Sequence, residues 1–532
     1  MTAGLRFGSV SDARPVVVVG SGAAGLAAAL AAAGSGADVV VVESSRFVGG
    51  TTALSGGLVW LPAHGLDTGS SPHPDTPAEA MRYLCEVVDG DSDPELLEAF
   101  VTDAGRVATA IEARTALGWE VLERWPDYHG ELPGARAGRS LWPRPVPVSA
   151  EVEAMVQPAP DQPSPSSPVE GGPSETGAGR LVLAGHVRGR ALVAALLAAA
   201  LDARVEVRRD APASRLCVDD GHVTGVDVGG ERLEGRVVLA TGGFQHDARL
   251  RSAFLPGCPV VPMGTTGCAG SGLRMAMQIG AALANMSEGW WMPAVHVPGE
   301  RLDGAPHHRS LRSEAAQPGA ILVDRTGRRF VDEAQNYGDV GRAMQRFGPG
   351  RLRYPAAPCW LVFDSAYRRR YAIGPLTPED PDPRWLTRAE GADGVDGLAS
   401  RTGLPAPALG ETMDRFNAGA EAGEDRDFGR GSLPYDRWIG DDRAPHPTLA
   451  PLADPPYYAL EVGLGCMGTK GGPRTDAHGR VRSVTGGHVA GLYAAGNAAA
   501  NPFGTATPAG GATLGPALVF GFRAGEAAAR DR

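Results

Sequence analysis

The first long apolar stretch of the chain, Pro15 to Ala33, is interrupted by Gly20, Gly22 and Gly25. The four valines ahead of Gly20 read as a short buried strand, and the Ala/Leu-rich run beyond Gly22 as a helix to about Ala33. Asp38–Val42 reads as a second buried strand ending at Glu43, which makes a βαβ unit. The glycines, and the lack of a basic segment and small-residue cleavage site before them, argue against a membrane span or a signal peptide. Thr76-Pro77-Ala78-Glu79 is a capping box with Pro at the first helical position, and Asp93-Pro94-Glu95 opens a second helix. A helix over about Arg190–Leu201 and a buried strand Val237–Ala240 follow. Pro158–Gly179, rich in Pro, Ser, Gly and Glu without periodicity, reads as a flexible insertion. Residues 290–449 are less patterned and richer in Trp, Arg and Pro. From about Pro455 the strand–glycine–helix character returns. The expected fold is therefore α/β: a Rossmann-like domain split into 1–289 and 450–532, around an α+β domain at 290–449.

Chemistry enters through the glycines. Gly20-Ser21-Gly22-Ala23-Ala24-Gly25 has the context that GxGxxG needs: a strand before it, a helix after it, and Glu43 ending the next strand 18 positions beyond Gly25. Gly20 permits the tight turn, Gly22 lets backbone approach a pyrophosphate, and Gly25 lets helix and strand pack closely. The helix N-terminus, at Ala23 and Ala24, offers free N–H groups to phosphate. Glu43, with Ser44 beside it, suits the ribose hydroxyls. A glycine-rich loop over 49–57 adds Gly50, Thr51, Thr52, Ser55, Gly56 and Gly57. Further glycine turns bring in Thr241 and Gly242, then Gly496 and Asn497. Gly511, Thr513, Leu514 and Gly515 open a last helix, whose amides would face the flavin edge that gains negative charge on reduction. A ligand touched by the start, middle and end of one chain is long and deeply enclosed, as FAD is.

Composition narrows the class. The chain has 532 residues and a net charge of −11, without the basic face a nucleic-acid binder carries. The six cysteines include no CxxC pair and fit a reducing cytoplasm. His296, His307 and His308 have no ligand-spaced company, so no metal site is expected. Of 50 basic residues only Lys470 is a lysine.

These pieces resemble the flavoprotein family of fumarate reductases and 3-ketosteroid Δ1-dehydrogenases, from about Val16 to Ala527 apart from the Pro-rich insertion. The 3-ketosteroid branch is matched by Gly49–Gly57 with Val59-Trp60-Leu61-Pro62, Pro126-Asp127-Tyr128, Trp290-Trp291, Arg329-Phe330-Val331-Asp332-Glu333, Gly468-Thr469-Lys470-Gly471-Gly472 and Thr513-Leu514-Gly515-Pro516. The resemblance implies an active site at the interface of the two domains. It puts Tyr337 where fumarate reductases carry a proton-delivering Arg, and no Arg lies between Asn497 and Pro516, so a dicarboxylate would lack its bidentate partners. Tyr337 matches the tyrosine that takes a proton beside the ketone, and Tyr128 the one that assists it. Gly511 matches the backbone donor to the ketone oxygen. Thr507 stands where the steroid enzymes have a clamping tyrosine, which opens the substrate to other cyclic ketones. Tyr457 and Tyr458 are candidate replacement hydroxyls. The position of the family's covalent His attachment is Gly50, so FAD is expected to be non-covalent.

The implied activity is introduction of a C=C bond next to the ketone of a cyclic substrate, with an electron acceptor still to be identified. Two alternatives stand beside it: an enone or fumarate-type reductase, and a flavin-binding redox module without catalysis.

Overall fold

The computed structural model describes residues 15–66, 75–115, 117–144, 147–158, 181–255, 257–348, 353–390 and 394–531. The expected insertion at 158–179 lies outside the described residues from 159 onward.

The first strand, Val16–Val19, is central because all four of its valines are buried. It pairs in parallel with Val39–Val42 on one side and Arg236–Leu239 on the other. His488–Ala494 and Glu206–Arg208 extend the sheet in parallel, and Arg480–Arg482 closes one edge antiparallel. Near-continuous apolar strands suit a sheet covered on both faces. The helix Ala23–Gly34 follows the first strand, and apart from two leucines it carries only alanine and glycine. This lets the C-terminal helix Leu514–Arg530 come very close: a Cβ on Gly521 would stand 2.4 Å from the Ala24 carbonyl oxygen, and one on Gly525 2.1 Å from that of Ala28. The expected N-cap is present, with Thr76 accepting from the Glu79 N–H at 3.2 Å at the start of the helix Pro77–Val88.

The second sheet is mainly antiparallel and runs Ala305–Ser310, Gly289–Leu302, Tyr457–Thr469, Cys359–Phe363, Ala320–Val323. Tyr457–Thr469 is its spine: it also pairs with Thr387–Ala389 and, in parallel, with Val260–Pro262. At its end the Thr469 hydroxyl accepts the Phe244 N–H at 3.1 Å, tying this sheet to the glycine turn after Leu239. Among the described residues no helix is long and apolar enough to cross a membrane.

The Arg329–Glu333 segment is structural. Arg329 meets Glu333 at 2.7 Å and Asp425 at 2.8 Å, and Arg430 meets Glu333 at 3.1 Å. Arg430 also donates to the carbonyls of Gln317 and Ala320. Burial would raise the Glu333 carboxyl, but the two guanidiniums outweigh it and hold the pKa below the usual range. Its contribution to stability is therefore present above the ordinary carboxylate pKa and lost as pH falls through the lowered one. Glu333→Gln is expected to cost about 3–5 kcal/mol at neutral pH, because it leaves two buried cations undercompensated. Thermal unfolding should show that deficit, and the gap to wild type should narrow in acid.

Candidate active site

The turns that end the parallel strands converge on one cavity of about 630 Å³. Its wall includes Gly20, Gly22, Ala23, Ala24, Glu43, Ser44, Gly50, Thr51, Thr52, Ser55, Gly56 and Gly57, then Thr241, Gly242, Gly496, Asn497, Gly511, Thr513 and Leu514. Gly25 and Gly515 lie behind it. A Cβ on Gly25 would meet the Gly20 carbonyl oxygen at 1.9 Å, and one on Gly515 the Trp60 carbonyl oxygen at 2.0 Å. Both glycines serve close packing that brings wall residues into place.

Ser21, a variable position of the glycine motif, organises the entrance. Its hydroxyl donates to Glu43 at 2.6 Å and accepts the Gly49 N–H at 3.0 Å. The Ser21 and Ser45 N–H groups also donate to Glu43, which fixes the carboxylate at the strand end. Thr52 Oγ1 accepts from the Ala23 N–H at 3.1 Å.

The wall fits FAD. The helices beginning at Ala23 and Leu514 have no acidic residue in the first turn, and both N-termini face the cavity. The partial positive charge at a helix N-terminus suits phosphate and a flavin edge that gains charge. Thr241 Oγ1 and Gln245 Oε1 are buried wall atoms without a protein partner, as expected where a polar ligand completes the hydrogen bonding.

The rest of the wall is aromatic. Tyr128 and Tyr337 meet edge to face with ring centroids 5.7 Å apart, and Tyr128 meets Tyr435 at 4.8 Å. Side-chain hydrogen bonds link Tyr128 to both neighbours. Burial, then the neighbouring phenols, push the Tyr128 pKa well above its usual value, and burial raises Tyr435 likewise. Trp125 packs on Trp142 at 6.0 Å, and Trp438 bridges Trp125 to Tyr435 from behind. Leu58, Ile439 and Met467 complete the apolar lining, with Arg312 and Ser313 beside it.

Three anchors hold the tyrosines in place. Asn336 caps the helix Tyr337–Ala343 by accepting from Asp339 N, which sets Tyr337 at its first position. Asp127, next to Tyr128, accepts from Trp60 Nε1 at 2.9 Å and from Arg139 at 2.6 Å. The loop Pro508–Gly511 is fastened by Tyr83, which donates to the Pro508 carbonyl at 2.6 Å, and by Ser140, which donates to that of Gly510 at 3.0 Å. Gly511 has φ +96°, and a Cβ there would stand 2.6 Å from Trp60 N. Its own N–H has no protein acceptor among the described residues.

Several sequence candidates lie elsewhere. Thr507 is buried behind the wall, and a Cβ on Gly338 would stand 2.8 Å from its hydroxyl. Tyr458 donates to Asp382 and stacks on Phe363 in the antiparallel sheet, and neither it nor Tyr457 reaches the cavity. Lys470 does not line the cavity either. It is fully buried, donates to the Thr505 and Ala506 carbonyls, and sits 4.4 Å over the Trp290 ring. Burial draws its pKa down to about 7, against the pull of Glu288. Trp290 in turn donates to Asn497 at 3.1 Å, so the lysine supports the wall from behind. Sequence reasoning missed Arg312, Tyr435, Trp125 and Gln245. None belongs to a recognisable motif.

Comparison with known proteins agrees with this geometry. Residues 15–514 match a family model described as an FAD binding domain. The chain is 38% identical to 4-oxocyclohexanecarboxylate 2-dehydrogenase of Sinomonas cyclohexanicum over 537 residues, covering 96% of this chain and 92% of that protein. It is 35% identical to 3-oxosteroid 1-dehydrogenase of Mycobacterium tuberculosis over 558 residues, covering 96% and 97%. Its structure matches 3-ketosteroid Δ1-dehydrogenase of Sterolibacterium denitrificans, solved with 1,4-androstadiene-3,17-dione, at a TM-score of 0.86, with 32% identity and coverage of 98% and 100%. The chain belongs to the family of FAD-dependent dehydrogenases that includes the 3-oxosteroid 1-dehydrogenases, and FAD is its cofactor.

Proposed function

We propose that the protein introduces a carbon–carbon double bond next to the ketone of a cyclic substrate. The observation that carries this reading is the meeting of Tyr337 and Tyr128 on the wall of the FAD cavity, together with the open N–H of Gly511. Relatives named for 4-oxocyclohexanecarboxylate and for 3-oxosteroids share a six-membered ring bearing a ketone, and that ring is the substrate unit proposed here.

Tyr337 removes the proton from the carbon beside the ketone. Of the three linked tyrosines it is half-buried, whereas Tyr128 and Tyr435 are buried. Tyr128, kept protonated by burial, donates a hydrogen bond to the Tyr337 oxygen and stabilises it as a base. Negative charge then develops on the ketone oxygen, and the Gly511 N–H donates to it. Loss of one such donor typically costs about 2.7–4 kcal/mol of transition-state stabilisation. Bound FAD supplies the acceptor for the hydride that leaves the β-carbon. The aromatic wall excludes water, which strengthens these interactions.

The reading is tested by incubating the protein anaerobically with a panel of cyclic ketones and following loss of flavin absorbance; a panel without any bleaching would overturn it. Acid or heat should release FAD intact at about one per chain, because Gly50 occupies the position of the family's covalent attachment; flavin retained on the denatured chain would contradict this. Tyr337→Phe should keep FAD binding and lower kcat by roughly 10²–10⁴-fold with little change in substrate affinity. Steady-state kinetics decides, and near-normal turnover would assign the proton to another group. Thr507→Tyr, which restores the family residue, should lower activity on a 3-ketosteroid. The new ring would press on Gly338 and the helix that carries Tyr337, a strain of about 1–3 kcal/mol. The flavin reduction rate checks this, and a large gain would show that the ring swings into the cavity.

A further inference from the structure

Among the described residues, Arg312 is the only arginine or lysine on the cavity wall. Its guanidinium carbon lies 5.7 Å from the centroid of the Tyr337 ring. Its Nε is buried without a hydrogen-bond partner, and its guanidinium forms no ion pair among the described residues. Other arginines, buried more deeply, differ in having direct acid partners. Arg139 meets Asp75 and Asp127, Arg329 meets Glu333 and Asp425, and Arg430 meets Glu333. Glu314 is the nearest acid along the chain, but its carboxylate accepts the Arg312 backbone N–H at 2.8 Å instead of pairing with the guanidinium. The other titratable groups facing Arg312 are the phenols of Tyr128, Tyr337 and Tyr435. Arg312 is half-buried, and Glu314 feels its charge without pairing with it, so the guanidinium is left able to take an anion from the cavity. Its planar fork matches a carboxylate in two parallel hydrogen bonds.

We propose that Arg312 anchors a carboxylate on the substrate, so that the site selects a cyclic ketone bearing an acidic group over an uncharged one. This rests on the dehydrogenase reading above and names the substrate class of that site. The position is suitable: an acid across one six-membered ring from the ketone lies a ring's width from the carbon that Tyr337 deprotonates. The sequence offers a dicarboxylate no arginine at position 337 or in the C-terminal glycine loop, whereas this cation comes from the bend after Ala305–Ser310.

A different role would look different in kinetics. If the charge of Arg312 served mainly to stabilise a phenolate or an enolate, it would act equally on every ketone. The holoenzyme and its Arg312→Met and Arg312→Lys variants are therefore compared in two assays. The first is calorimetric binding of cyclohexanecarboxylate, which has no ketone and cannot react. The second is turnover of 4-oxocyclohexanecarboxylate against its neutral carboxamide. Wild type should bind cyclohexanecarboxylate, Arg312→Met should weaken that binding roughly 10–100-fold, and Lys should restore part of it. KM for the acid ketone should rise by a similar factor in Arg312→Met, while kcat stays within about threefold and its pH profile does not move. The carboxamide should be nearly unaffected. Equal losses of kcat on both ketones, a shifted kcat pH profile, or no binding of cyclohexanecarboxylate to wild type would each overturn the anchor. If neither ketone is turned over but the anion still binds through Arg312, the anchor stands and the dehydrogenase reading falls.

Discussion

The architecture depends on backbone lying against backbone with no side chain between. Gly20 abuts Ala240, Gly25 abuts Gly20, and Gly521 and Gly525 abut the carbonyls of Ala24 and Ala28. These contacts join the beginning, middle and end of the chain, and each would be broken by a single methyl group. Forcing extra carbon into such a site costs about 1–3 kcal/mol through strain, and here the atoms that would have to move are main-chain. The seam matters because of what it aligns. Two helix N-termini and the turns after the parallel strands end on one cavity only if the two helices sit this close. Gly511 and Gly515 continue the same contact against Trp60, so the cradle for the cofactor and the donor proposed for the substrate share a support.

A second layer of support comes from buried polar groups that never reach the cavity. Asp127 gathers Trp60, Arg136 and Arg139, and thereby fixes the backbone of Tyr128. Arg329, Glu333, Asp425 and Arg430 lock the segment that leads to Tyr337. Lys470 holds the carbonyls of Thr505 and Ala506 just ahead of the Thr507–Gly511 turn. The charged residues in these family-matching segments are thus largely scaffolding. Each fully buried cation in them has found an oxygen partner, and this is what makes the unpaired guanidinium of Arg312 informative.

Legibility in the sequence followed the range of the interactions. The valine strands, the Thr76 cap and the glycine turns depend on neighbours within a few positions, and they read correctly from the chain alone. Their joint destination, one cavity, was inferred because glycines at strand ends leave few alternatives. Tyr435, Arg312 and Trp125 carry no local signal. They come from loops or a short helix, and only the tertiary fold brings them to one wall. Thr507 shows the reverse failure. Its position in the turn was legible, but the direction of its side chain, towards Gly338 and away from the cavity, depends on a helix 170 positions earlier. Ser21 was overlooked because the glycine pattern treats it as a free position, whereas its hydroxyl ties Glu43 to Gly49.

The three linked phenols raise the question of why one should give up a proton while its neighbours keep theirs. Charge in a low-dielectric interior is penalised in proportion to burial, so the most enclosed phenols stay neutral. Tyr128 and Tyr435 are both buried, and that burial pushes their pKa values up. They can then only donate or relay hydrogen bonds. Tyr337 is half-buried and begins its helix. The asymmetry of roles proposed for these residues therefore needs no difference in side-chain chemistry. It follows from depth: identical hydroxyls become hydrogen-bond donor or proton acceptor according to how much of the aromatic wall encloses each. On the proposed reading, residues that meet the far side of the substrate can change without touching the enclosure that separates the phenols.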